Sequence, residues 1–70
     1  MNQILLPSGK YIYDDVVKFN TWYSKGNHGA KGIEITYKIY PGALLLYTNE
    51  DSANNDLHFL REKYPEAWQR

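Results

Sequence analysis

Two histidines, His28 and His58, are the side chains best suited to binding a metal ion or moving a proton near neutral pH. Zinc sites commonly hold histidines at short fixed spacings such as H-x-x-x-H, which lets both side chains reach one ion. The two histidines of this chain do not form such a pair. The spacing therefore indicates no metal site, and we expect His58 to be partly exposed on a helix.

A glycine-rich segment at residues 26–32 is the best candidate for an anion site, because glycines let backbone N–H groups approach a phosphate. Lys25, His28 and Lys31 could add positive charge. The segment lacks the G-x-x-x-x-G-K-[ST] and dinucleotide spacings. It also connects a predicted helix to a strand, whereas phosphate loops connect a strand to a helix. We interpret it as a solvated connection.

Carboxylates and hydroxyls show no arrangement typical of catalysis. The acidic and amide residues at 49–56 lack the alternating ligands, central glycine and terminal glutamate of a calcium loop. Asp14 and Asp15 are explained as helix-capping residues, and the serines lie in predicted turns or at helix ends without a recognisable histidine partner. A chain of 70 residues also has little room for a substrate pocket of about 300 Å³. We expect no enzymatic activity and no cofactor.

Composition limits the class of partner. Eight basic and eight acidic side chains cancel, whereas proteins that bind nucleic acid mainly through phosphates carry surplus Lys and Arg. The chain has no cysteine and no apolar stretch near the ~20 residues of a membrane span, and we expect no signal peptide. We expect one cytoplasmic domain over residues 1–70 with no membrane partner. Short chains without cysteine are common among phage and mobile-element proteins that bind host machinery.

The clearest structural pattern lies at residues 32–40, where apolar and polar side chains alternate. Side chains of a strand point to opposite faces with period two, so this pattern predicts a half-buried strand. The predicted inward residues are Ile33, Ile35, Tyr37 and Ile39, and the predicted outward residues are Glu34, Thr36 and Lys38.

The remaining elements follow from turn and capping signals. Pro7, Ser8 and Gly9 predict a turn between strands at 4–6 and 10–13. Residues 16–25 predict a helix, because Val16, Phe19, Trp22 and Tyr23 fall in one stripe at helical spacing. Residues 43–48 predict a return strand. Its run of three leucines does not alternate, which suggests apolar surroundings on both faces.

A second helix is predicted from a cap at Asp51 or Ser52 to about Tyr64, ending before Pro65. Its expected buried stripe contains Ala53, Leu57, Leu60 and Tyr64, and Trp68 is expected to anchor the tail. The order ββαββα predicts an α+β fold with two layers. In this fold a four-stranded, mostly antiparallel sheet carries both helices on one face.

The chain is rich in aromatic residues, with seven Tyr, two Trp and two Phe, and so small a core cannot bury them all. If Ile12, Leu44 and Leu46 point inward, the open sheet face carries an apolar patch, and such patches usually mark a partner site. The patch would contain Tyr11, Tyr13, Leu45 and Tyr47, and Phe59 is a further candidate because it lies off the helix stripe. In the alternative orientation Tyr11 and Tyr13 point inward.

Two functions follow from this surface. The first is a non-catalytic protein-binding module, a regulator or inhibitor that binds another protein or a second copy of itself. The second is binding of single-stranded nucleic acid, with Tyr11 and Tyr13 stacking on bases and Lys10, Lys31 and Lys38 near phosphates.

Overall fold

A computed structural model describes residues 2–23 and 31–69 and gives the α+β class that the sequence predicts. Its arrangement differs from the prediction, because five strands in two antiparallel sheets and one helix replace the four-stranded sheet with two helices. The elements in chain order are β1 (Gln3–Leu5), β2 (Tyr11–Tyr13), β3 (Val16–Tyr23), β4 (Lys31–Tyr37), β5 (Ala43–Tyr47) and α1 (Glu50–Lys63).

The first hairpin is confirmed. β1 and β2 pair antiparallel, with Ile4 opposite Ile12 and Leu5 opposite Tyr11. Gly9 adopts a φ of 96°, which a residue with a Cβ rarely adopts, and the N–H of Gly9 donates to the carbonyl of Leu6 at 2.9 Å. Ile12 is buried in the core, as one of the two predicted orientations requires.

Residues 16–23 form a strand, so the helix predicted at 16–25 is wrong over these positions. The last two positions of the predicted helix, 24 and 25, lie outside the described residues. β-branched residues favour strands, and β3 pairs along its length with β4. A bulge between Val16 and Lys18 interrupts the pairing. A bulge breaks the alternation of inward and outward side chains, so the sequence of this strand does not show a period of two. Val17 is exposed, whereas Phe19 is fully buried.

The larger sheet has the order β3-β4-β5. The predicted inward face of β4 is confirmed for Ile33, Ile35 and Tyr37, which are all buried. Ile39 is instead exposed, because β4 ends at Tyr37 and the chain turns away. Two hydrogen bonds to Asp15 hold this turn, one from the N–H of Lys38 to the carbonyl and one from the N–H of Ile39 to Oδ2.

The N-cap of helix α1 lies two or three residues before the predicted cap at Asp51 or Ser52. The Oδ1 of Asn49 accepts hydrogen bonds from the N–H groups of Asp51 at 2.8 Å and Ser52 at 3.4 Å, so Asn49 is the N-cap. The helix ends at Lys63, close to the predicted end, because Pro65 disfavours helical backbone in the residue before it.

The buried side of α1 differs in part from the predicted stripe. Ala53 and Leu60 are buried as predicted, whereas Leu57 and Tyr64 are only partly buried. Asp56 is also buried on this side, although the predicted stripe does not include it.

The C-terminal tail completes the edge of the sheet next to β3. The N–H of Phe19 donates to the carbonyl of Ala67 at 3.0 Å, and the N–H of Gln69 donates to the carbonyl of Phe19 at 2.9 Å. The rings of Phe19 and Trp68 lie 5.3 Å apart, which confirms Trp68 as the anchor of the tail. The core gathers side chains from the hairpin, the sheet, α1 and this tail.

Candidate functional site

The Asp56 carboxylate is the most buried charged group among the described residues, with no exposed surface. It accepts hydrogen bonds from the Ser8 N–H at 2.9 Å, the Ser8 hydroxyl at 2.5 Å and the Tyr47 hydroxyl at 2.6 Å. A buried carboxylate is costly unless it is hydrogen-bonded, and bonds to a charged acceptor are strong. This group, here named the Asp56 clasp, joins α1 to the turn of the first hairpin and to the end of β5.

Tyr47 belongs to the clasp, so its predicted place on the open face is wrong. Its side chain is only 7% exposed, because β5 pairs Tyr47 with Lys31 on the inner side of the sheet. Burial, reinforced by the hydrogen bond to Asp56 and by its negative charge, raises the pKa of the Tyr47 phenol well above its usual value. Lys10 lies over the same ring, with Nζ 5.2 Å from the ring centroid.

The leucines of β5 also point opposite to the prediction. Leu45 pairs with Ile33, whose side chain is buried, and directly paired residues share one face of a sheet. Leu45 therefore packs against the core, whereas Leu44 and Leu46 are 46% and 56% exposed on the other face. The open face of this sheet thus presents Leu44 and Leu46 in place of Leu45 and Tyr47.

The outward side of the first hairpin carries the exposed aromatic surface. Leu5 and Tyr11 are paired across the strands and are 55% and 60% exposed. Tyr13 is on the same side as Tyr11, two residues along the strand. Its ring stacks on Tyr40 with centroids 3.9 Å apart and planes 14° apart. We name the surface formed by Leu5, Tyr11, Tyr13 and Tyr40 the hairpin face.

The Tyr13 ring is held in position by two further contacts. It meets the edge of the Tyr37 ring at 5.5 Å between centroids, and the backbone N–H of Tyr13 donates to the Tyr37 hydroxyl at 3.3 Å. Tyr13 is partly buried as a result. Phe59, the remaining aromatic candidate, is also partly buried and packs against the core. Tyr11 is therefore the most exposed of the predicted aromatic site residues.

The three lysines predicted to meet phosphates do not form one patch. Lys31 is ion-paired with Glu50, and Lys10 lies over the Tyr47 ring. The Lys38 side chain is exposed. Lys31 begins β4 and Lys38 follows its last residue, so their Cα atoms are roughly 23 Å apart at the rise of an extended strand.

Asp14 and Asp15, predicted to cap a helix, instead connect the hairpin to distant segments. The Tyr64 hydroxyl donates to the Asp14 carbonyl at 3.2 Å. Burial, and then the charges of Asp14 and Asp15, raise the pKa of the Tyr64 phenol above its usual value. One oxygen of Asp15, Oδ1, is buried with no hydrogen-bond partner among the described atoms.

Metal-binding groups are not gathered in the described part of the chain, where no three His, Cys, Asp or Glu side chains could share an ion. His58 is exposed and pairs with Glu62 at 3.0 Å, while His28 and most of the glycine-rich segment lie outside the described residues.

No helix within residues 2–23 and 31–69 is long and apolar enough to cross a membrane. Searches of protein-family models, curated protein sequences and solved structures found no match to this chain.

Proposed function

We propose that this protein is a small non-catalytic binding module that regulates or inhibits another protein by occupying its surface through the hairpin face. The observation that carries this proposal is the exposed pair of Leu5 and Tyr11 on a hairpin whose opposite side is buried in the core. Large exposed apolar side chains that adjoin one another favour contact with a partner. Tyrosine suits such a contact because its ring is apolar and its hydroxyl can donate or accept a hydrogen bond.

The hairpin face is held rigidly, which lowers the entropy lost on binding. An isolated two-stranded hairpin is marginally stable in water. Here the Asp56 clasp fixes the turn at Ser8, and the Tyr13–Tyr37 contacts fix the open end. Leu6 and Ile12 bury the inward side. A partner would therefore meet an ordered surface.

Several groups that could take part in acid–base chemistry hold the fold together instead. Asp56 and Tyr47 are buried in the clasp, and Asp15 holds the turn after β4. These roles support binding over catalysis.

Binding of single-stranded nucleic acid has weaker support. One face of the Tyr13 ring is occupied by Tyr40, and Lys31 is paired with Glu50. Base stacking needs free ring faces, and phosphate binding needs cations that lie along one track.

The test uses immobilised protein and cell extract with three variants. Leu5→Ser and Tyr11→Ser change the hairpin face, and Val17→Ser changes a similarly exposed apolar residue on the other sheet. We expect a protein in the extract to bind saturably to wild type and to Val17→Ser, and its affinity to fall at least about tenfold with either hairpin variant. Equal retention by all forms would refute the proposal.

A labelled oligonucleotide tests the alternative. Fluorescence anisotropy at low salt should show no binding that depends on Tyr11. Tyr11-dependent and salt-sensitive binding would replace the protein-binding proposal with the nucleic-acid one.

A further inference from the structure

Strand β5 lies at an open edge of the larger sheet. β4 pairs with one side of β5, and no strand of the described ranges pairs with its other side. Such an edge presents unpaired backbone N–H and C=O groups, and native proteins usually protect it with Lys, Pro or a bulge. Residues 43–47 read Ala-Leu-Leu-Leu-Tyr and contain none of these protections. At the opposite edge, by contrast, Ala67 and Gln69 of the tail form backbone hydrogen bonds with Phe19 of β3.

We propose that β5 pairs antiparallel with β5 of a second copy of this chain, about a two-fold axis at Leu45. The two three-stranded sheets would then form one sheet of six strands. In this register Leu44 stands opposite Leu46 of the second copy, so four exposed leucines meet on the open face. Ala43 stands opposite Tyr47 of the second copy, which places a small side chain against a large one.

The side chains of β5 favour a second copy over an unrelated strand. In the two-fold register each exposed leucine of one copy meets an exposed leucine of the other, so the open face of this strand is complementary to itself. The strand carries no charge that would repel its copy.

The assembly closes at two copies. An isologous two-fold interface uses the same surface on both subunits, so each β5 edge is occupied by one partner and none is left for a third copy. One short strand and a few leucines make a small interface. We therefore expect a weak dimer, as is usual for interfaces below the standard size.

The register is tested by disulfide trapping with Leu44→Cys and Leu46→Cys, since the chain has no cysteine of its own. Directly opposed Cα atoms are about 4.5–5.5 Å apart, within the reach of a disulfide. Two copies of one residue, 44 and 44 or 46 and 46, would be about 8 Å apart and out of reach. We expect covalent dimers when the two variants are mixed and far fewer with either variant alone. Equal trapping in all three samples, or none in any, would overturn the register.

Sedimentation equilibrium tests the interface without cross-linking. Leu46→Lys should raise the dimer Kd at least about tenfold, whereas Val17→Lys, an equally exposed site on β3, should not change it. Tyr11→Ser should leave the dimer unchanged, so this proposal and the hairpin-face proposal can fail separately. A strict monomer at 500 µM, or species larger than a dimer, would refute two-fold pairing through β5.

Discussion

Removal of the Asp56 carboxylate should destabilise the protein strongly. Asp56→Ala leaves the Tyr47 hydroxyl and the Ser8 N–H without their acceptor at a buried site. Each buried donor that loses its partner costs about 1–3 kcal/mol, so the variant should lose about 4 kcal/mol. A domain of 70 residues has a total stability of roughly 4–10 kcal/mol, so the loss is comparable to the whole at the lower end.

Two milder variants divide this effect. Tyr47→Phe keeps the ring and removes one hydrogen bond to the carboxylate, so it should cost about 2 kcal/mol. Ser8→Ala keeps the backbone N–H bond and should cost about 1 kcal/mol. Because both residues bind the same carboxylate, the double variant should deviate from additivity by at least about 0.5 kcal/mol.

The assay is urea unfolding followed by circular dichroism, with the free energy extrapolated to water for each variant. Ser52→Ala is the control, since it removes a hydroxyl near the start of α1 that takes no part in the clasp. It should change the free energy of unfolding by less than about 0.5 kcal/mol. If Asp56→Ala lost less than about 1 kcal/mol, or no more than the control, the clasp would not stabilise the fold as argued.

Three further predictions follow from the core, the turn and the tyrosines. Phe19→Ala removes a fully buried ring and should cost about 4 kcal/mol in urea unfolding, whereas Ile39→Ser at an exposed position should cost less than about 0.5 kcal/mol. Gly9→Ala meets no atom within 4 Å but must keep a φ of 96°, so strain alone should lower stability by about 1 kcal/mol. The raised pKa of Tyr47 means that the unfolded chain loses this proton near pH 10 before the folded protein does, so stability present below pH 10 falls as pH rises further. Tyr47→Phe should reduce that slope by up to about 1.4 kcal/mol per pH unit between pH 10 and 11.5, and an unchanged slope would contradict the assignment.

Local patterns predicted the elements whose periodicity was uninterrupted. The first hairpin followed from a turn that needs glycine at positive φ, and β4 followed from strict alternation. β3 was misread because a bulge at Val17 breaks its alternation and leaves apolar residues at spacings that also fit a helix. Propensity pointed the other way, since Val16, Val17 and Thr21 all favour a strand.

The clasp could not be predicted because its partners are distant in sequence. Ser8 and Asp56 are 48 positions apart, and Asp56 lies among acidic and amide residues that resemble a solvated helix surface. One signal was available. Asp56 falls three residues after Ala53 and four before Leu60, which places it on the buried side of α1. A carboxylate at such a position needs buried donors, and the hairpin turn and Tyr47 supply them.

The three consecutive leucines of β5 connect the sequence pattern to the proposed dimer. A run without alternation predicted apolar surroundings on both faces of the strand. Within the described residues the chain covers only the inner face, where Leu45 packs against the core, and leaves Leu44 and Leu46 exposed. A solvated face has no physical need for leucine, and an unprotected edge strand that carries it is prone to pair. Two-fold pairing through β5 would bring each exposed leucine against one from the second copy, which gives the missing alternation a physical reason. If the dimer is absent, Leu44 and Leu46 should tolerate replacement by Thr with no change in stability or association, and the leucine run would then serve neither fold nor assembly.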